Sequence, residues 1–366
     1  MGLSDSPTYE VPIAGETDGS GDRIPDLSPR EALERWLSSI RVSKAESTVS
    51  AYWYQLKHFA EFCEEEEIVS ISDVSGWDLE EYKNYRLSTG MKAATLNKEF
   101  LTLRSFLQYC ARVELVDDSL PEKVDPPDVS RDEFVDDTRL HSDNAKSLLD
   151  YYEANEYGSR AHVLLALEWY TGARLGAIRG LDIDDYDSER EYLQFFHRPA
   201  DDTPLKNGKD GERAVGLPTD ICEIIDTYLA ENRHAVHDDN GRRPLVTSEV
   251  GRPSRNAVRA WTYIATVPCI YGACPHGNNP ETCDYLSYST ASQCPSSRSP
   301  HQVRTGSITW QLNRGVPIEK VAKRVNTSVR VLKKHYDKPT ELEDLEERRR
   351  EYVDRLSFGD SEGGGA

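Results

Sequence analysis

The sequence predicts a mainly α protein with a small β-sheet or hairpin, built as a helical first unit and a mixed α/β second one. Three observations carry this. Apolar residues recur at helical spacing through four successive segments between residues 28 and 115. A Pro- and Asp-rich stretch without periodicity, 116–138, follows and predicts a linker. Beyond it, a strand-like run (EYLQFFHRP) and Asn-Gly and Asp-Gly turn signals interrupt an otherwise helical pattern. A chain of 366 residues also suits two compact domains better than one.

Residues 1–27 are rich in Gly, Ser, Pro and acids and predict a disordered tail. The first helix is PREALERWLSSI, with Ser28 to cap it and Pro29 at its first position. In the second, Val49, Tyr52, Leu56, Phe59 and Phe62 form one stripe. DLEEYKNYRL is the third. The fourth repeats apolar residues at Leu96, Phe100, Leu103, Phe106, Leu107 and Cys110. The second domain, 139–357, opens with a helix capped by Ser142, which turns Ala145, Leu148, Leu149 and Tyr152 inward. RAHVLLALEWYT (160–171) is apolar enough for a buried helix, and the short helix ARLGAIRGL follows Thr171-Gly172. DTPLK and ERAVGLP flank Asn207-Gly208-Lys209-Asp210-Gly211, which predicts a hairpin turn between them. Helices return at 219–232, 255–266 and 341–356, and a Gly-rich tail closes the chain at 358–366.

Composition narrows the setting. There are 64 acids against 44 bases, a net charge of −20. Self-repulsion on this scale is tolerated best at high salt, where the Debye length falls to roughly 3 Å, so a salt-rich cytoplasm is expected. No apolar run approaches the ~18 residues of a membrane span, and no stretch resembles a signal peptide. Seven Cys, an odd number, argue against a disulfide framework. The chain is expected to be cytoplasmic, with no membrane partner.

Against this acidity, residues 301–338 hold nine Lys/Arg and only two acids, Glu319 and Asp337. The segment opens with His301-x-x-Arg304, one helical turn apart on one face, and Tyr336 stands 35 residues after the His. Upstream lie Arg174, just past Thr171-Gly172, and Lys206 beside the turn. Each alone is explicable as ordinary structure. Together, in this order, they suit phosphodiester transfer. Arginines steady the non-bridging oxygens as charge builds, a Lys protonates the leaving 5′-oxygen, a Tyr attacks to leave a reversible ester, and a His orients or deprotonates it. Lys209 in the turn is the alternative to Lys206. Arg324, Arg330, Lys333 and Lys334, with Lys209, are candidate DNA-phosphate contacts.

TGARLGAIRGL with Arg174, PLKNGKDGERAVGLP with Lys206, HQVR with His301 and Arg304, and HYD with Tyr336 resemble the tyrosine recombinase/integrase family, in particular archaeal (haloarchaeal-type) Xer-like site-specific integrases. The resemblance covers roughly residues 28–356. It implies the two-lobe tyrosine recombinase architecture, with a helical core-binding (SAM-like) DNA-binding domain at 28–115 and a mixed α/β catalytic domain at 139–357. It also implies a clamp around double-stranded DNA, cleavage through a 3′-phosphotyrosine on Tyr336, self-association on DNA as a synaptic tetramer, and no cofactor for catalysis. Three positions depart from the family pattern. Ala177 stands where an acid is common, Thr305-Gly306-Ser307 follows HxxR, and Val325-Asn326-Thr327 replaces Leu-Gly-His.

Four of the seven Cys (Cys269, Cys274, Cys283 and Cys294) fall in one loop, 267–300, with His276 among them. The first gap fits zinc-site spacing and the later ones are long, so the sequence reads as a structural zinc held by four thiolates, or by three and His276, or else as reduced thiols. Two rival functions remain open here. Residues 317–336 also read as a helix-turn-helix, which would make the chain a non-catalytic DNA-binding regulator, zinc-stabilised, with Tyr336 in its core. A type IB topoisomerase shares the chemistry.

Overall fold

The computed structural model describes residues 25–130, 137–336, 339 and 341–354. The predicted tails lie outside these, apart from residues 25–27. Two compact units result, Met1–Asp136 and Asp137–Ala366.

The first unit holds four α-helices: α1 (Pro29–Ile40), α2 (Glu46–Glu65), α3 (Gly76–Ser88) and α4 (Ala93–Arg112). Ser28 caps α1 in a capping box with Glu31, as its sequence predicts. Val49, Leu56, Phe59, Phe62, Leu96, Phe100, Leu103 and Phe106 are buried together. Inside this apolar core sits a buried ion pair, Glu99 with Arg86. Arg86 grips the carboxylate with Nε and Nη2, both at 2.9 Å, and the Tyr82 hydroxyl donates to it as well. The first part of the stretch 116–138 is not a linker. Val116, Leu120 and Val124 enter the same core, a 3₁₀ turn spans Leu120–Lys123, and Arg104 donates to the Val124 carbonyl. These three apolar residues recur every fourth position, a helical signal that the surrounding Pro and Asp obscure.

The second unit is built on α6 (Arg160–Thr171), buried from His162 to Trp169. Around it pack α5 (Ser142–Asn155), α9 (Arg255–Ala265) and α10 (Pro300–Asn313), with α7 (Leu175–Arg179) and α8 (Thr219–Thr227) completing the cluster. The residue that precedes α5 is His141, so Ser142 is its first helical residue rather than its cap. Gly306 allows α10 to lie against the chain entering α5, because a Cβ there would meet the Leu140 carbonyl at 1.9 Å. Two short helices, α11 (Ile318–Arg324) and α12 (Val329–His335), follow at the turn predicted near Asn326. A last helical segment runs from Glu341 to Asp354, its middle turns wound as π-helix.

The sheet is antiparallel, in the order β1 (Tyr186–Asp187), β2 (Tyr192–Phe195), β3 (Arg213–Gly216). Its register corrects the predicted hairpin. ERAVG pairs with YLQF, Phe195 opposite Arg213, and not with DTPLK. Leu193, Phe195 and Val215 are buried, so the apolar alternation of YLQF outweighs the local turn signal. Lys206 therefore lies in a turn between strands, not at a strand end. No helix among the described residues is long and apolar enough to cross a membrane.

Two predictions follow from the buried acids. Glu99→Ala strands Arg86 in the first core and should destabilise that unit by about 3–5 kcal/mol in denaturant titration, with Glu99→Leu/Arg86→Met losing less. Glu168 is 1% exposed, and burial pushes its carboxyl up from 4.5 to about 8, a bond from the Thr262 hydroxyl at 2.8 Å offsetting only part of this. Between those values the unfolded chain has lost the proton that the folded protein keeps, so stability falls as pH rises through this window. Melting curves of Glu168→Gln should be flatter than wild type between about pH 5 and 8, and higher at the upper end.

Candidate active site

The site gathers at the C-terminus of α11. That helix closes with Asn326 in the left-handed region (φ 55°), which returns the amide of Thr327 to the Ala322 carbonyl at 2.9 Å and that of Asn326 to Lys323 at 3.3 Å. The next three carbonyls have no intrahelical donor. Each takes an arginine from a different element. Arg213 Nε, on β3, donates to the Arg324 carbonyl at 2.6 Å. Arg304 Nη1, on α10, donates to Val325 at 2.9 Å, and Arg174 Nη1, at the start of α7, to Asn326 at 2.7 Å. Arg304 Nη1 also donates to the Gly172 carbonyl at 2.5 Å, tying α10 to the end of α6.

Tyr336 completes the cluster from the end of α12. It is 6% exposed, and its backbone carbonyl accepts from Thr309 Oγ1 at 2.9 Å. Its ring centroid lies 5.3 Å from the Arg304 guanidinium carbon and 5.6 Å from the His301 ring, edge to face. His301 is exposed and sits in the first turn of α10, fixed by the Ser299–Gln302 capping box.

Electrically the cluster is one-sided. Arg304 is 1% exposed, and burial followed by repulsion from Arg174 pushes its pKa down to about 10, still charged at neutral pH. The nearby Tyr336 hydroxyl favours that charge but is not aligned to accept from Nε or Nη2, which have no hydrogen-bond partner among the described residues. Burial, then Arg304, Arg174 and Arg324, push Arg213 down to about 9. Among the described residues, no carboxylate pairs with Arg174, Arg213, Arg304 or Arg324. The arginines of the neighbouring surface are treated differently. Asp182 accepts from Arg242 and Arg252, Asp185 is gripped by both Nη atoms of Arg198, and Asp238 takes Arg252 Nε at 2.7 Å. An acidic protein that neutralises those arginines leaves these without a counter-ion among the described residues, and there Arg304 Nε and Nη2 are buried without an acceptor. Such a site suits an anion.

The profile of "Phage integrase, N-terminal SAM-like domain" matches residues 33–114. The tyrosine recombinase XerD of Staphylococcus aureus is 24% identical over 230 residues, 62% of this chain and 74% of that one. The fold matches a lambda integrase dimer bound to a COC′ core site (TM-score 0.61, 12% identity, 86% of this chain and 78% of that chain). It also matches the Tn1549 transposon integrase with a circular intermediate DNA (TM-score 0.61, 15% identity, 89% and 99%). The chain is similar in sequence to a tyrosine recombinase and shares the integrase fold.

Arg174, His301, Arg304 and Tyr336 stand together, while Lys206 and Lys209 are exposed on the neighbouring loop. Arg330, Lys333 and Lys334 are exposed on α12. Arg324 differs from expectation: it turns inward, is largely buried, and donates Nη2 to the Tyr170 carbonyl at 2.8 Å, so its side chain braces α11 against α6 rather than facing solvent. Arg213 carries the site's geometry without having been a candidate. The pattern that would have found Arg213 is a β3 arginine facing Phe195, whose ring it covers at 4.2 Å. Where the family has Gly before its His, Asn326 supplies the left-handed turn.

The described residues of the cysteine loop form no preformed metal site, though Cys269 hydrogen-bonds to Cys274 and lies near enough to Cys283 and Cys294 to feel their charge. Among the described residues no three His, Cys, Asp or Glu side chains converge to hold an ion. The long later gaps leave Cys283 and Cys294 at the ends of separate 3₁₀ turns, and His276 Nε2 pairs with Ser296 Oγ at 2.9 Å. Cys274 instead takes backbone N–H bonds, from His276 foremost, which draw its thiol pKa down.

A tetrahedral oxyanion should occupy the arginine cluster. Sulfate or phosphate, compared with chloride at equal ionic strength, should raise the melting temperature of wild type. Arg174→Ala should lose that increment; an unchanged increment would place the anion elsewhere.

Proposed function

We propose that this chain is a site-specific DNA recombinase that cuts and rejoins duplex DNA through a 3′-phosphotyrosyl link on Tyr336. The observation that supports it most is the Arg304 guanidinium, buried beside Tyr336 with two donors unused and no carboxylate to neutralise it among the described residues. A scissile phosphate placed there has its non-bridging oxygens met by Arg304 and Arg174, whose forks strengthen their bonds as negative charge builds. The Tyr336 oxygen attacks phosphorus, and His301, its ring against that of Tyr336, orients the hydroxyl and takes its proton. The P–O5′ bond breaks, and Lys206 gives its proton to the departing 5′-oxygen. A 5′-hydroxyl from another strand reverses the steps and regenerates Tyr336. The ester conserves the bond energy, so the reaction calls for no nucleotide.

Arg330, Lys333 and Lys334 on α12, with Lys209, are assigned to duplex phosphates, and the first unit to a second stretch of the same duplex. Solved relatives include a lambda integrase dimer on a core site and a tetramer on a Holliday junction. By the same logic this chain pairs with copies of itself on DNA. The charge of −20 suits a salt-rich cytoplasm, where screening confines attraction to such close contacts. A non-catalytic regulator would have no use for unpaired arginines around a buried Tyr, and no observation favours a topoisomerase.

Incubation with a nicked cognate duplex should yield a protein–DNA adduct that survives detergent. Tyr336→Phe should abolish the adduct with DNA affinity nearly unchanged; an adduct formed by Tyr336→Phe would refute the assignment of the nucleophile.

A further inference from the structure

The loop that carries both candidate lysines is clipped to the end of α11 at two points. At its front, Asn207 Nδ2 donates to Asn326 Oδ1 at 2.8 Å. At its back, Arg213 Nη1 donates to the Gly211 carbonyl at 3.0 Å while Nε holds the Arg324 carbonyl. Gly211 is part of the fit: a Cβ there would stand 2.5 Å from Asn326 Nδ2. Asn326 thus serves two masters, its backbone carbonyl receiving Arg174 and its side chain receiving the lysine loop.

The clip singles out one lysine. Leu205 is buried and its N–H donates to His197 Nδ1 at 3.0 Å, and Asn207 is bonded to Asn326. Lys206 is therefore fixed on both sides while its own side chain stays exposed. Lys209 lies inside the 3₁₀ turn Gly208–Gly211, where the bonds from Gly208 N–H to the Leu205 carbonyl and from Glu212 N–H to the Lys209 carbonyl stay within the loop and do not reach α11.

We infer that the Asn207–Asn326 amide pair is a latch that places Lys206 beside the arginine cluster, so that both asparagines are positioning residues for protonation of the leaving 5′-oxygen. This rests on the recombinase reading above. The latch explains why Asn, and not Gly, occupies the left-handed turn at 326. Gly would satisfy the backbone and still present its carbonyl to Arg174, but it would release the lysine loop.

The test compares single-turnover cleavage, at saturating DNA, by wild type, Asn326→Gly, Asn207→Ala and the double variant. Two substrates are used: an ordinary duplex and one whose bridging 5′-oxygen at the scissile phosphate is sulfur. A thiolate leaves without a proton, so a defect in leaving-group protonation vanishes on the sulfur substrate and a general structural defect does not. Each single variant should cleave the oxygen substrate roughly ten-fold or more slowly with DNA affinity unchanged. The double variant should be no slower than the singles, since both remove one contact. All three, and Lys206→Ala, should approach the wild-type rate on sulfur. Variants that cleave oxygen at the wild-type rate, or that are slowed equally on both substrates, overturn the latch. Rescue by sulfur of Lys209→Ala but not of Lys206→Ala overturns the choice of lysine. A wild type that cleaves neither substrate removes the recombinase reading and the latch with it, a result distinct from slow variants beside an active wild type.

Discussion

The C-terminus of α11 presents three successive peptide carbonyls, those of Arg324, Val325 and Asn326, and each receives a guanidinium from a different part of the second unit. Helix ends carry orphan acceptors and a partial negative charge of roughly half an electron, which suits cations. Carbonyls rather than carboxylates hold these arginines, and the difference is functional. A carboxylate would neutralise its partner and lower its pull on a phosphate. A carbonyl fixes the guanidinium by one N–H and leaves the net charge intact, at the expense of burial and, after it, mutual repulsion, which depress the pKa values of Arg213 and Arg304.

The same helix end joins distant chain segments. Through it, Arg174 from the middle of the sequence, Arg213 from the sheet, Arg304 from α10 and the lysine loop share one reference point, and Tyr336 stands one short helix further on. A shift of α11 therefore moves every group at once. The surrounding protein is rigid where it must be: Ser307 and Gln311 bond across α10 toward α6, and Gly306 seats α10 against the chain entering α5. The acidic surface supplies contrast. Elsewhere, Asp182, Asp185 and Asp238 absorb the available arginines, so the uncompensated positive charge at α11 is local.

Much of this was legible in the sequence. Apolar periodicity placed the four helices of the first unit and the buried α6, because each is set by local spacing, and a helix was expected at 255–266, where α9 lies. His301 and Arg304 could be put on one helical face from their spacing alone, and their ties to Arg174 and Tyr336 rested on order. What stayed hidden depends on pairing across long sequence separations. The register of β2 with β3 is decided by Leu193, Phe195 and Val215 in the core, not by the Asn-Gly turn signal. Arg324 looks like one more basic surface residue until Tyr170, far upstream, is seen to accept its N–H. Asn326 looked like a lapse from the family's Gly, and only its bond to Asn207 gives the side chain a purpose. The cysteine spacing suggested a metal, yet loop backbone and Ser296 take up the polar groups involved.

The central claim is that the carbonyl-held arginines keep their charge for one phosphate next to Tyr336. A crystal structure of Tyr336→Phe bound to its duplex measures this directly. The account predicts the scissile phosphate within hydrogen-bond distance of Arg174 and of the Arg304 donors left unused here, with the bonds to Val325 and Asn326 intact. A phosphate backbone that bypasses the cluster, or arginines that leave those carbonyls to pair with carboxylates, would contradict it.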